Sequence, residues 1–205
     1  NNGQYLSEAI SLAKKADSDY WWSWGNINSL AHYRIAKYSN EMKQYLENNL
    51  AAFNDSRKKN IFGEGTAFTW GTTNTFLGIA LQAILFRDLT KSNIYDSVAV
   101  FQRDYILGKN PWGISFIYNI GSRFTKHFHS QVGYFNGGYL PGAVAAGPAP
   151  AEMLKGYNIQ RTNFSYDKFN SPEVKYYDDR NDYVTNEPTI VSNATALFVF
   201  AHFYK

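Results

Sequence analysis

Tyr176-Tyr177-Asp178-Asp179-Arg180-Asn181-Asp182-Tyr183-Val184-Thr185-Asn186-Glu187-Pro188-Thr189 leads, through Asn193-Ala194, into the last helical pattern of the chain, Ala194 to Tyr204. Three aspartates and an arginine crowd the turn before that helix. Glu187 stands just before Pro188, and proline is favoured in the first turn of a helix. A carboxylate there lies one turn from a helix N-terminus, whose dipole favours the charged form. A general acid must instead keep its proton near neutral pH. A neighbouring anion such as Asp178, or burial among tyrosines, favours that. The bland alternative is a capped loop with an Asp–Arg pair, and on these residues alone both readings stay open.

Upstream of this turn the chain reads as helices. Leu6, Ala9, Ile10 and Ala13 form an apolar stripe at helical spacing. Ile27, Leu30, Ala31 and Ile35 form a second, and Met42, Leu46, Leu50 and Phe53 a third. Phe76 to Phe86 is apolar nearly all round, as in a buried helix. Ile94, Val98, Phe101 and Tyr105 form a fifth stripe, which Gly108 and Pro111 would end. Ser39, Thr72 and Ser92 occupy N-cap positions. With Ala194 to Tyr204 this predicts an all-α array of six helices in hairpin-like succession. Between the fifth and the last lie roughly 80 residues without helical period, rich in Gly, Pro, Asn and Tyr. A loop of that length in a compact domain carries function or short structure of its own, so chemistry is expected there.

The composition is globular: 44% of the 205 residues are hydrophobic and 18% charged. Aromatics reach 18%, with 16 Tyr, 15 Phe and 5 Trp. Most belong in a core; those in loops suit sugar rings, whose apolar faces are rimmed by hydroxyls. The net charge is +3 with the cations scattered, so no nucleic-acid footprint is present; Lys58-Lys59 after Arg57 reads as a solvated helix end. There is no cysteine, hence neither disulfide nor thiolate metal site. No apolar run is long enough for a membrane span. Asn1-Asn2-Gly3-Gln4 is no signal peptide, which fits a mature secreted chain or an internal fragment. His127-Phe128-His129 could offer two metal ligands on one face of a strand, but no third is apparent.

The pattern aromatic-x-Asp-x4-aromatic-x3-Glu-x-Thr-x3-Asn-Ala is filled without a gap by Tyr176, Asp178, Tyr183, Glu187, Thr189, Asn193 and Ala194. It resembles the second active-site motif of family 9 glycoside hydrolases, the cellulase and endoglucanase type. Ser115, Ile117, Gly121, Arg123 and His129 are similar to the family's first motif, while Tyr118, Phe128 and Gln131 depart from it. Gly138 to Pro148 resembles the Gly/Pro-rich loop that precedes the acid motif. Asp104 to Gly113 resembles the helix end before the first motif, and Phe68-Thr69-Trp70-Gly71-Thr72 the family's Trp-Gly helix start. The resemblance implies a twelve-helix (α/α)6 barrel, of which residues 1–205 would supply the C-terminal portion, about half. It implies Glu187 as proton donor, with Asp178 and His129 in the same catalytic site. It sets Arg180, Tyr183, His127, Gln131, Trp112 and Trp70 as substrate contacts. Gln131 stands where the family has an arginine; glutamine still bonds a sugar but lacks the charged, five-donor fork, which argues against ordinary cellulose specificity.

Such enzymes invert the anomeric centre with two carboxyls ~6.5–9.5 Å apart. The second, an aspartate in an Asp-Ala-Gly-Asp-like motif, is not found; Ala16-Asp17-Ser18-Asp19 is only superficially similar. Half a mechanism and half a barrel together suggest a truncated enzyme. The missing half, or an oligomer partner, is expected to cover an apolar face. The expected substrate is a β-1,4-glucan such as cellulose. Alternatives are another β-linked oligosaccharide (amino-sugar or short β-glucoside) or a carbohydrate-binding fragment without turnover. No cofactor is implied; calcium occurs in some relatives, with no assignable ligands here. The expected setting is secreted or on a bacterial cell surface.

Overall fold

The computed structural model describes residues 2–204. Six helices of eight residues or more carry the described fold: α1 (Asn2–Ala16), α2 (Asn28–Ile35), α3 (Met42–Arg57), α4 (Thr72–Thr90), α5 (Asp96–Ile106) and, after an intervening region, the last helix, Ile190–Phe203. From α1 to α5 each helix packs on the next, and the last helix packs against α4. The mostly helical expectation thus holds.

α4 is the axis. Every residue from Thr72 to Phe86 is buried, because α3, α5 and the last helix cover it from several sides. Gly78 lets the Trp22 ring lie directly on the helix: a Cβ there would stand 1.8 Å from Trp22. Phe76 meets Tyr105 of α5 edge-on at 5.0 Å, and the core continues through Phe116, Tyr176 and Trp112.

The long loop has structure of its own. It holds α6 (Gln131–Phe135), a two-residue antiparallel pair β1 (Ala149–Pro150) and β2 (Val174–Lys175), α7 (Ala151–Lys155), and α8 (Tyr183–Asn186). The last helix is therefore α9. It starts at Ile190, four residues before the expected Ala194, because Thr189 is extended and its side chain accepts from the Ser192 amide.

The expected caps are displaced. Gly71, with φ 78°, caps α4, while the Thr72 hydroxyl bonds back to Thr69. Ser39 opens a turn whose short-range bonds precede α3, so Glu41 is the N-cap. Ser92 lies before the turn that delivers Tyr95 as the cap of α5.

Glu64 is 8% exposed, on the loop before α4, and its Oε2 has no hydrogen-bond partner. Burial pushes its carboxyl above the usual 4.5. A raised carboxyl favours folding fully below its unfolded value and loses that contribution as pH rises through the folded value. Glu64→Gln is therefore expected to raise the unfolding temperature at pH 7, with the gain vanishing below about pH 4.5. A calorimetric comparison at the two pH values checks this.

Candidate active site

The acid turn, residues 176–189, is built around buried carboxylates. Asp178 is 4% exposed. It accepts from Thr125 Oγ1 (2.9 Å), from the amides of Lys126 (3.0 Å) and His127 (2.9 Å), and bonds His127 Nδ1 (3.0 Å). Burial pushes this carboxyl up. The bond to the His127 ring, the His127 amide and charge, and the Lys126 amide outweigh burial and hold it below 3.8. In His127 the bond to Asp178 wins over burial and raises the imidazole above 6.5.

The signs define a window. Asp178 contributes stability above pH 3.8, lost as pH falls through its lower folded value. His127 contributes fully below pH 6.5, lost as pH rises through its higher folded value. The couple holds the turn most firmly between those limits. His127 is half exposed, so its share is small. The unfolding midpoint of the wild type minus that of His127→Gln is expected to peak in this window and shrink above it. A difference flat from about pH 5 to about pH 9 would show that charge plays no part.

Beneath Asp178, the Tyr176 hydroxyl donates to Thr125 Oγ1 (2.7 Å) and Asn186 Oδ1 (2.8 Å). Asn186 Nδ2 donates to the Tyr177 carbonyl. Asn186 is the last residue of α8, so this network fixes the residue before Glu187. Its carbonyl also accepts from the His129 amide (3.1 Å), which brings His129 beside the acid. The His129 ring bonds the Arg180 carbonyl through Nδ1 (2.8 Å) and meets Tyr183 edge-on at 5.7 Å. Glu187 itself is half-buried on extended backbone, and its carboxylate makes no hydrogen bond or ion pair among the described residues.

Trp70, Tyr157 and Tyr183 form an aromatic wall, with ring separations of 5.4, 5.7 and 5.9 Å. Trp70 remains 40% exposed and can offer a face to a sugar. The wall is held to α4 by the loop of residues 143–147. Gly147, φ 88°, donates to the Thr185 carbonyl, and a Cβ there would lie 2.2 Å from Thr73 Oγ1.

Among the expected site residues, Glu187, Asp178, His129, His127, Tyr183 and Arg180 come together. Gln131 is exposed at the start of α6, and its side chain makes no hydrogen bond among the described residues. Trp112 does not reach the site. It is 3% exposed, packs on Phe116 and Tyr176, and donates its indole N–H to Asn170. Among the described residues Arg180 forms no ion pair with its neighbouring aspartates, whose oxygens are taken by amides, by the His127 ring and by Arg161; its guanidinium lies 5.2 Å over Tyr134 instead. Beside the His127–Asp178 couple, the turn holds an ion pair between Arg161 and Asp182 at 2.6 Å. Sequence reading missed Arg161, Tyr157 and Tyr134, which lie in aperiodic loop or a five-residue helix. Asp17 is exposed, and Asp19 bonds Asn49, which bonds Gln82. Gln82 is ten residues, about 15 Å, along α4 from its start, so this cluster is remote from Glu187. Among the described residues no group of three or more His, Cys, Asp or Glu is disposed to hold a metal ion.

A family model described as Glycosyl hydrolase family 9 matches residues 1–200. The chain belongs to glycosyl hydrolase family 9. Endoglucanase A of Bacillus pumilus is 25% identical to this family 9 chain over 213 residues, covering 95% of the chain and 31% of the relative. Endoglucanase 17 of Arabidopsis thaliana is 31% identical over 119 residues, covering 53% and 22%. The solved family 9 endoglucanase J30 superimposes with a TM-score of 0.79 at 21% identity, over 98% of this chain and 39% of that one. AaCel9A in complex with cellobiose-like isofagomine gives 0.77 at 21%, over 97% and 40%. At that identity the likeness establishes the fold, part of the (α/α)6 barrel. The chain spans about a third of the length of the Bacillus pumilus relative.

Proposed function

We propose that this family 9 chain serves the hydrolysis of β-1,4-glycosidic bonds in a glucan such as cellulose. Glu187 protonates the leaving glycosidic oxygen. A base outside these 205 residues takes a proton from the attacking water, which adds to the opposite face with inversion. The observation that carries the reading is Glu187 itself: an acid without a hydrogen-bonding partner among the described residues, on a frame pinned by Asp178, Asn186 and His129. Tyr183 and Trp70 supply ring faces, and His127, Arg180 and Gln131 supply polar contacts. Two solved relatives are complexes, AaCel9A with cellobiose-like isofagomine and Cel9M with cellobiose, which supports a cellobiose-type ligand. The same proposal includes an extracellular or cell-surface bacterial setting, where a polymeric substrate can be met.

Gln131 favours one further reading, a β-linked amino-sugar oligomer or short β-glucoside, since it offers a neutral amide. Reducing-end release by the complete protein separates the readings. Release from soluble β-1,4-glucan supports the first, release from chitosan oligomers the second. Sugar binding without turnover would leave only a binding module.

α9 supports a partner on its outer side. Leu197 is 75% exposed and Phe198 51%. With Phe200, Ile117 and Ile120 nearby, Leu197 lines an apolar groove. The remainder of the catalytic domain is the occupant proposed, since solved relatives are about two and a half times longer than their overlap with this chain. In the complete protein Leu197→Asp is expected to destabilise by about 2–5 kcal/mol, as a core substitution does. An unchanged denaturation midpoint would leave that face without a partner.

A further inference from the structure

With no hydrogen bond of its own, the Glu187 side chain takes its direction from the backbone of α8 before it. That four-residue helix is set by Asp182, which is fully buried. Its Oδ1 accepts from the Val184 and Thr185 amides, both at 3.0 Å, and so caps the helix. Its Oδ2 accepts from Arg161 Nε at 2.6 Å. The Arg161 side chain is 14% exposed, and its guanidinium lies 4.3 Å from the Tyr177 ring centroid.

Arg161 belongs to a strap, residues 160–163, that grips the acid turn repeatedly. The Gln160 carbonyl accepts from Asn181 Nδ2. The Thr162 and Asn163 amides both donate to Asp179 Oδ2. Asn163 Nδ2 donates to the Asp178 carbonyl at 2.7 Å. Among these contacts only Arg161 meets the cap of α8 with an opposite charge. A buried carboxylate that loses its cation must protonate or turn towards water, and either change weakens the cap. Displacing a reacting group by about 1 Å can cost about a hundredfold in rate.

We propose that Arg161 is a positioning residue for Glu187: by holding Asp182 it fixes α8 and thereby the direction from which the acid meets the glycosidic oxygen. The inference rests on the general-acid reading of Glu187 above.

The test uses the complete enzyme and two substrates, a soluble β-1,4-glucan and 2,4-dinitrophenyl β-cellobioside, whose leaving group departs without a proton. Arg161→Gln is expected to lower kcat on the glucan by about ten- to a hundredfold, with KM nearly constant. The loss on the dinitrophenyl substrate should be several times smaller, and Arg161→Lys should recover part of the glucan activity. Equal losses on both substrates, or none, would overturn the proposal, because a general structural role does not discriminate between leaving groups. If Arg161→Gln fails to fold, the double variant Arg161→Gln/Asp182→Ser decides. Serine still caps but carries no charge, so the double variant is expected to fold and regain glucan activity; continued inactivity once folded overturns the proposal. Glu187→Gln in parallel separates the two readings. Wild-type glucan hydrolysis in that variant refutes the acid assignment itself, whereas an inactive Glu187→Gln beside an active Arg161→Gln refutes only the role of Arg161.

Discussion

Glu187→Gln in the complete enzyme is expected to lower turnover of a soluble β-1,4-glucan by about 10²–10⁴-fold, the range general acids supply. The leaving alkoxide of a sugar is strongly basic, so the C–O bond breaks only as a proton arrives. Glutamine keeps the shape of Glu187 and cannot give the proton. Because the Glu187 carboxylate holds no structural hydrogen bond, the substitution leaves the fold in place. Oligosaccharide affinity is expected to stay within a few-fold of the wild type, since Trp70, Tyr183 and the polar groups are untouched. Titration calorimetry together with reducing-end assays separates the two quantities. A parallel fall in affinity and turnover would make Glu187 a binding residue.

Asp178→Ala is expected to produce the largest stability loss in the site. It would strip the acceptor from the Thr125 hydroxyl and from the Lys126 and His127 amides. Each buried donor left unpaired costs about 1–3 kcal/mol, so several kcal/mol are at stake in a domain whose margin is about 5–15 kcal/mol. Asp178→Asn keeps an acceptor and should lie between alanine and the wild type. Urea denaturation midpoints check the order. A loss under about 0.5 kcal/mol for alanine, the size of a neutral surface change, would mean that water replaces the carboxylate and that it does not brace the turn.

Legibility in the sequence followed the range of the interactions. The run Phe76–Phe86 announced a buried helix because residues buried on all sides must be apolar on all sides, and α4 is so buried. The fixed spacing from Tyr176 to Asn193 was legible because local geometry places Asp178, Asn186 and Glu187 on one short turn. Pairing was not. Arg180 adjoins the aspartates in sequence, yet Asp182 is paired by Arg161, 21 residues away. Trp112 shows the same limit from the other side: an indole beside Pro111 and Gly113 reads as loop, and only tertiary packing against Phe116 and Tyr176 buries it. Ser39 and Ser92 had the right chemistry for caps, but turns of a few residues separate them from the helices they precede.

Proton donation by Glu187 is read out by the pH dependence of kcat/KM. The profile for 2,4-dinitrophenyl β-cellobioside and that for a soluble β-1,4-glucan should be recorded for the wild type and for Glu187→Gln in the complete enzyme. On the glucan the wild type should fall at alkaline pH as the acid loses its proton. Glu187→Gln should retain most activity on the dinitrophenyl substrate, and its residual glucan hydrolysis should lack that alkaline fall. An unchanged alkaline fall in Glu187→Gln, or equal losses on both substrates, would assign the proton to another group and rule Glu187 out as the general acid.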